Sequence, residues 1–266
     1  MEVFGYLASA LIGLSLGLIG GGGSILTVPV LVYLFGIPPL QATSYSLFIV
    51  GATSLIGSVN NVRNGSVNLK AAFSFGLASV ITVFFTRRLL LPAISSKIFQ
   101  IAGFVVTIPF LTMILFGMLM LAASVGMIGD KTLAEKECSD CVKFFKLLGY
   151  GIGIGLITGL LGAGGGFLLI PALMFLIKLP MKKAVGTSLV IIAMNSLFGF
   201  VGDLGHFTIR WIFLLSLTMI AVAGIAVGTR LSKGIPAGKL KKGFGWFVLL
   251  MGSYIILKEI SEFIVV

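Results

Sequence analysis

The chain has 266 residues, of which 58% are hydrophobic and only 10% charged, with a formal net charge of +11. A soluble domain keeps about a quarter of its residues charged to hold its surface in water, so this composition excludes one. A nucleic-acid partner is excluded by placement. The basic residues form no patch but sit in short clusters between apolar runs, as loops beside membrane spans do.

In chain order, no Asp, Glu, Lys or Arg occurs between Glu2 and Arg63. The stretches 98–129, 147–177, 184–202, 211–229 and 243–257 are also free of charge. A spanning helix needs roughly 20 apolar residues, and these runs are of that order or longer. They are continuously apolar rather than alternating, so they read as helices and not as barrel strands. No basic stretch precedes the first run, which outlasts a cleavable signal; it is therefore expected to belong to the mature fold.

The spacing predicts helices over about 3–19 and 25–36, with Gly20, Gly21, Gly22, Gly23 and Ser24 between them, then about 40–60, 70–87 and 98–124. A charged segment, 130–146, follows and carries Cys138 and Cys141 as a CxxC. Helices are then predicted over about 147–161 and 167–178, separated by Gly162, Ala163, Gly164, Gly165 and Gly166, and over about 182–201, 210–231 and 240–258. The basic clusters, among them Arg87 with Arg88, are read as loop residues facing lipid headgroups.

One offset organises the chain. Pro29 and Pro171 are 142 residues apart, and the same offset pairs Gly17 with Gly159, Gly20 with Gly162, Gly22 with Gly164 and Gly23 with Gly165. It also pairs Pro38 with Pro180, Ser46 with Ser188, Ser54 with Ser196 and Arg88 with Arg230. Matched Gly, Pro, Ser and basic positions at one offset indicate duplication. The expected fold is thus an all-α polytopic membrane protein of two homologous repeats, 1–129 and 147–266, joined by the linker 130–146. Each repeat is a glycine-broken hairpin plus three helices. The arm after each break, about 12 residues or roughly 18 Å of helix, is too short to cross. That favours re-entrant arms and inverted repeats, whereas the basic clusters at matching positions favour parallel ones.

Consecutive glycines cost about 1 kcal/mol each relative to alanine inside a helix, so each break commits the chain to non-helical backbone. Such backbone is tolerated at membrane depth only when buried or lining a cavity. The helix that resumes presents free N–H groups and a positive dipole end, an anion-binding arrangement. Broken helices at corresponding places in two repeats point to a transporter's substrate site. Close helix packing accounts for Gly13, Gly17, Gly151 and Gly155 instead. The next helices add Ser46, Thr187, Ser188 and Asn195 as candidate polar ligands, with back-bonding to a helix carbonyl as the alternative for the hydroxyls. Asp203 and His206 lie near a loop and read as solvated surface rather than as a proton relay. Two cysteines cannot complete a zinc site, and no nucleophile–base pair suggests an enzyme. Neither a metal nor a cofactor is expected.

Gly17 to Pro29 (GLIGGGGS…P), Gly159 to Pro171 (GLLGAGGG…P) and Ala184 to Leu189 (AVGTSL) resemble the TauE/SafE family of sulfite-exporter-like membrane proteins. The resemblance covers nearly the whole chain, departing from symmetry where Ser44-Tyr45 stands against Gly186-Thr187. It implies a secondary transporter exporting a small sulfur-containing anion (sulfite, sulfoacetate or another organosulfonate) across the cytoplasmic membrane by alternating access. The anion is expected between the two breaks. Partners are then the small anion and the bilayer, and a homodimer stays open. Rival readings are an anion channel and a membrane-embedded sulfur-handling partner using the CxxC.

Overall fold

A computed structural model describes residues 2–19, 21–93, 97–101, 104–129, 144–162, 164–177, 179–232 and 237–265. The described chain is helical apart from one short antiparallel hairpin, β1 (Lys97–Ile101) and β2 (Phe104–Thr107). Helix α1 spans Glu2–Ile19. Beyond it the chain tightens into a 3₁₀ turn over Gly21–Leu26, passes one α turn, α2 (Thr27–Pro29), and widens into a π segment over Val30–Leu34. Helix α3 (Pro39–Arg63) starts at a proline, whose fixed φ and missing N–H suit the first helical position. Helix α4 (Leu69–Phe85) is capped by Asn68, whose side chain accepts from the Ala71 N–H at 3.0 Å. It runs on through a π turn over Thr86–Leu90 into α5 (Leu91–Ala93).

The remaining helices are α6 (Ile108–Ile128), α7 (Phe144–Leu161), α8 (Gly166–Leu176), α9 (Met181–Asp203), α10 (Trp211–Ser232) and α11 (Ala237–Val265). Two expectations are corrected. The helix expected over 98–124 begins only at Ile108, because β1 and β2 occupy the residues before it. The first break is not a gap before a fresh helix: Gly21, Gly22 and Gly23 wind into the 3₁₀ turn, a tighter path on which no clean helix N-terminus forms. Gly20, Cys138 and Cys141 lie outside the described residues, as does 130–143 of the expected linker.

Among the described residues, four helical segments are long and apolar enough to cross a membrane: Pro39–Arg63, Leu69–Ala93, Lys183–Asp203 and Trp211–Leu231. Their outward faces are apolar too. Phe73, Leu77, Ile81 and Phe85 recur every four residues along α4 and all are exposed, as are Ile212, Leu215 and Met219 on α10. A helix stripe of that kind would drive association in water and is at home against acyl chains.

Small residues set the packing. Gly13 and Gly17 of α1 lie against the α10 backbone at Ala221 and at Ile225 to Thr229, while Gly224 and Gly228 of α10 return the contact at Ala10 and Leu14. Gly151, Gly155 and Gly159 of α7 lie in turn against Phe75, Ser79 and Thr86. The packing expected of Gly13, Gly17, Gly151 and Gly155 is therefore present, and both pairs run parallel. Helices α3 and α9 run the opposite way to each other. Gly51 faces Leu197 at their middle, and Gly186 near the start of α9 lies on Ser66, just past the end of α3. Helices α6 and α11 are antiparallel as well, Gly117 meeting Ile256 and Gly252 meeting Met120. The 3₁₀ turn after the first break packs on α8.

Candidate functional site

The second break forms as a true interruption. Gly162, Gly164 and Gly165 have φ of 67°, 66° and 66°, left-handed values that side chains with a Cβ reach only at a cost. Helix α8 starts directly after them, and its first intrahelical bonds run from the Leu168 and Leu169 N–H groups to the Gly165 carbonyl. The N–H groups before these have no partner of their own within the helix.

The side chains around this turn are polar, and their hydrogen-bonding capacity is largely unused. A Cβ on Gly162 would run into the Arg87 guanidinium and Thr43, one on Gly164 would lie 2.6 Å from Ser196 Oγ, and one on Gly165 would strike Thr158 Oγ1. Arg87, Ser196 and Thr158 are buried, at 1%, 0% and 1% exposure. Arg87 uses Nη1 for two bonds, donating to Thr43 Oγ1 at 3.0 Å and to Asp203 Oδ2 at 3.1 Å. Its Nε and Nη2 have no partner, nor have Ser196 Oγ and Thr158 Oγ1. A guanidinium has five N–H donors in a rigid fork, so its open edge is the Nε–Nη2 side that matches an oxoanion. Leaving a buried donor unmade costs about 1–3 kcal/mol, more when it is charged.

Neither Arg87 nor Asp203 was expected here. The loop reading of Arg87 and the solvated-surface reading of Asp203 are both corrected: among the described residues these are the two charged side chains that are buried. The reason is helical phase. On α4 the exposed stripe is Phe73, Leu77, Ile81 and Phe85, whereas Phe75, Ser79, Val83 and Arg87 form the buried one. Arg88 falls back on the exposed side, where Nη1 donates to the Leu204 carbonyl at 3.1 Å. A signal was present in the sequence, since the 142-residue offset matches Arg88 to Arg230 but leaves Arg87 opposite Thr229. On α9, Ser196, Gly199 and Asp203 likewise continue one buried stripe, and the chain becomes exposed at Leu204, Gly205 and His206 beyond them.

The expected ligands divide. Gly162, Gly164, Gly165 and Gly166 form the turn and the α8 start, and all are buried. Ser46 is buried with an unpartnered hydroxyl, and Asn195 donates from Nδ2 to Ser79 Oγ at 2.7 Å while its Oδ1 stays unpartnered. Ser24 is buried after the first break. Thr187 lies elsewhere: its hydroxyl accepts from the Asn68 N–H at 2.9 Å, tying the start of α9 to the start of α4. That is the opposite end of α9 from Asp203. Ser188 makes the back-bond expected as its alternative, donating to the Val185 carbonyl at 2.9 Å.

Comparison with known proteins gives the same class. Residues 6–255 match the family model described as sulfite exporter TauE/SafE. A "Probable membrane transporter protein" of Xylella fastidiosa is 28% identical over 254 residues, covering 94% of this chain and 92% of that one. One of Methanocaldococcus jannaschii is 28% identical over 219 residues, covering 80% and 76%, and one of Bacillus subtilis 26% over 240, covering 88% and 92%. No solved structure is significantly similar to this chain. A helical bundle with an apolar exterior, a buried cation beside a glycine turn, and a family match over almost its full length converge: the chain belongs to the sulfite exporter TauE/SafE family and is an integral membrane transporter.

Proposed function

We propose that the protein exports a small sulfur-containing anion, namely sulfite or an organosulfonate, across the cytoplasmic membrane by alternating access. One observation carries this reading: three unpartnered groups, Arg87, Ser196 and Thr158, converge on the left-handed glycine turn. Sulfite and sulfonates present three oxygens to such a ring, and the guanidinium edge takes two of them in parallel. The family's name supports the substrate class.

The mechanism rests on two repeats of opposite orientation. Their support is the way counterpart helices meet. Helices α3 and α9 are counterparts under the 142-residue offset and run antiparallel, as do α6 and α11. Helix α1 packs on α10 as α7 packs on α4. Two such halves rock about a shared centre, where the first-break turn meets α8. Purified protein in liposomes is expected to move sulfite or a sulfonate from a panel that also includes sulfate and simple cations. Movement of none of the sulfur anions, or of cations alone, overturns the reading.

A further inference from the structure

Charge counting at the Arg87 site leads to a coupling ion. The buried centre holds one guanidinium and one carboxylate, Arg87 and Asp203, and is neutral as it stands. Asp203 and Thr43 occupy Nη1, which leaves Nε and Nη2 without a hydrogen-bond partner, Nη2 lying beside Gly162 of the glycine turn. A singly charged oxoanion on this edge would make one buried cation serve two buried anions. Burying an uncompensated charge costs several kcal/mol, and the least costly correction is a proton on one of the two anions. A sulfonate is the anion of a strong acid and does not take it. The carboxylate does.

Among the described residues, no other charged group is hydrogen-bonded to the Arg87 guanidinium or the Asp203 carboxylate. Arg88, from the same π turn, is exposed and turned to the Leu204 carbonyl. His206 is exposed on the loop after α9, with Nδ1 3.2 Å from the Asp203 carbonyl oxygen rather than its carboxylate. Arg210 is exposed, its guanidinium stacked over Phe213. Helix α3 presents the hydroxyls of Thr43, Ser44 and Tyr45, of which Tyr45 accepts from the Arg210 N–H. Asp203 is also placed for exchange with solvent, being the last residue of α9 with exposed Leu204 and Gly205 directly after it.

We propose that a singly charged anion binding the open edge of Arg87 is coupled to protonation of Asp203, so that anion and proton cross together without net charge. This rests on the transport reading above and adds its coupling ion and a charge preference; an acid exterior drives such a couple inward, so export runs when the outward anion gradient exceeds the opposing pH gradient. Asp203 takes the proton from water on the side where the anion enters and returns it where the anion leaves; no other bond changes. Because a single carboxylate is available, singly charged substrates such as methanesulfonate or hydrogensulfite are preferred over doubly charged sulfate or sulfoacetate. By linkage, the concentration for half-saturation falls as the pH falls, since each ligand tightens the other.

The test uses the full-length protein in liposomes, with a pH-sensitive dye inside and the membrane potential clamped by potassium and valinomycin. Methanesulfonate is the first probe because it cannot itself carry a proton. A gradient of one pH unit, acid outside, is expected to concentrate it about tenfold inside, the factor that one unit is worth, whatever the potential. Accumulation that follows the potential and ignores the pH gradient overturns the coupling while leaving the transport reading in place. Sulfate or sulfoacetate moving in preference to methanesulfonate also overturns it. No flux of any sulfur anion overturns the transport reading itself. In Asp203→Asn the acid-driven accumulation is expected to be lost in whatever flux remains, and for sulfite this variant assigns the proton to the protein. The wild-type measurements decide the matter even where that variant does not fold.

Discussion

Arg87 shows how much a single phase angle on a helix decides. One residue further along, Arg88 lies outside and holds a loop carbonyl, whereas Arg87 is enclosed with three N–H groups open. Arg87→Lys keeps the charge but loses the planar fork. It is expected to lower uptake efficiency in liposomes about tenfold to a hundredfold, mostly through weaker half-saturation, with the fold intact. Arg87→Ala leaves Asp203 buried and alone, and loss of one partner of a buried pair costs about 3–5 kcal/mol; the thermal unfolding midpoint in detergent should drop accordingly. Gly162 separates backbone strain from crowding. Gly162→Ala meets both the left-handed φ and the Arg87 and Thr43 side chains, whereas Gly36→Ala, at φ 64°, meets nothing within 4 Å. The second is expected to cost about 1–2 kcal/mol and to leave transport near normal. The first should cost more and stop it.

Among the elements, the glycines of α7 act through contact rather than flexibility. Gly155 lies against the Ser79 backbone, while Gly153, two residues earlier, has nothing within 4 Å of where its Cβ would be. Gly155→Val should therefore prise α7 from α4 and cost about 1–3 kcal/mol or more, and Gly153→Val should be close to neutral. Equal melting temperatures for the two variants would show that this interface does not hold the break in place. Sequence period revealed these small-residue faces, because glycines three or four apart lie on one side of a helix. It did not reveal the difference between the two breaks. Both are runs of glycine and near relatives, yet one winds into a 3₁₀ turn and the other reverses through three left-handed residues. Glycine permits either path at little intrinsic cost, so the neighbours choose between them.

For the whole molecule, the crossing of α3 and α9 sets which loops share a side. The end of α3 lies beside the start of α9, so the loop at Asn64 and the loop at His206 lie at opposite ends of the bundle. Single cysteines at Asn64 and His206, in a chain with Cys138 and Cys141 replaced by Ser, are expected to react with an impermeant maleimide from opposite faces of the membrane. Labelling of both from one face would contradict the inverted arrangement.

Composition and period alone determined that this chain lives in a membrane, that it is helical and that its glycines mark two breaks. Those properties follow from transfer of side chains and backbone into lipid, which acts on each segment by itself. Segment-by-segment reasoning also placed Arg87 at the lipid headgroups and Asp203 in solvent, since an isolated charge near a helix end belongs at the membrane surface. Only tertiary packing brings the end of α4, the end of α9, the start of α3 and the second glycine turn together. Burial of that one ion pair is a property of four elements meeting, and no stretch of sequence carries its energy alone.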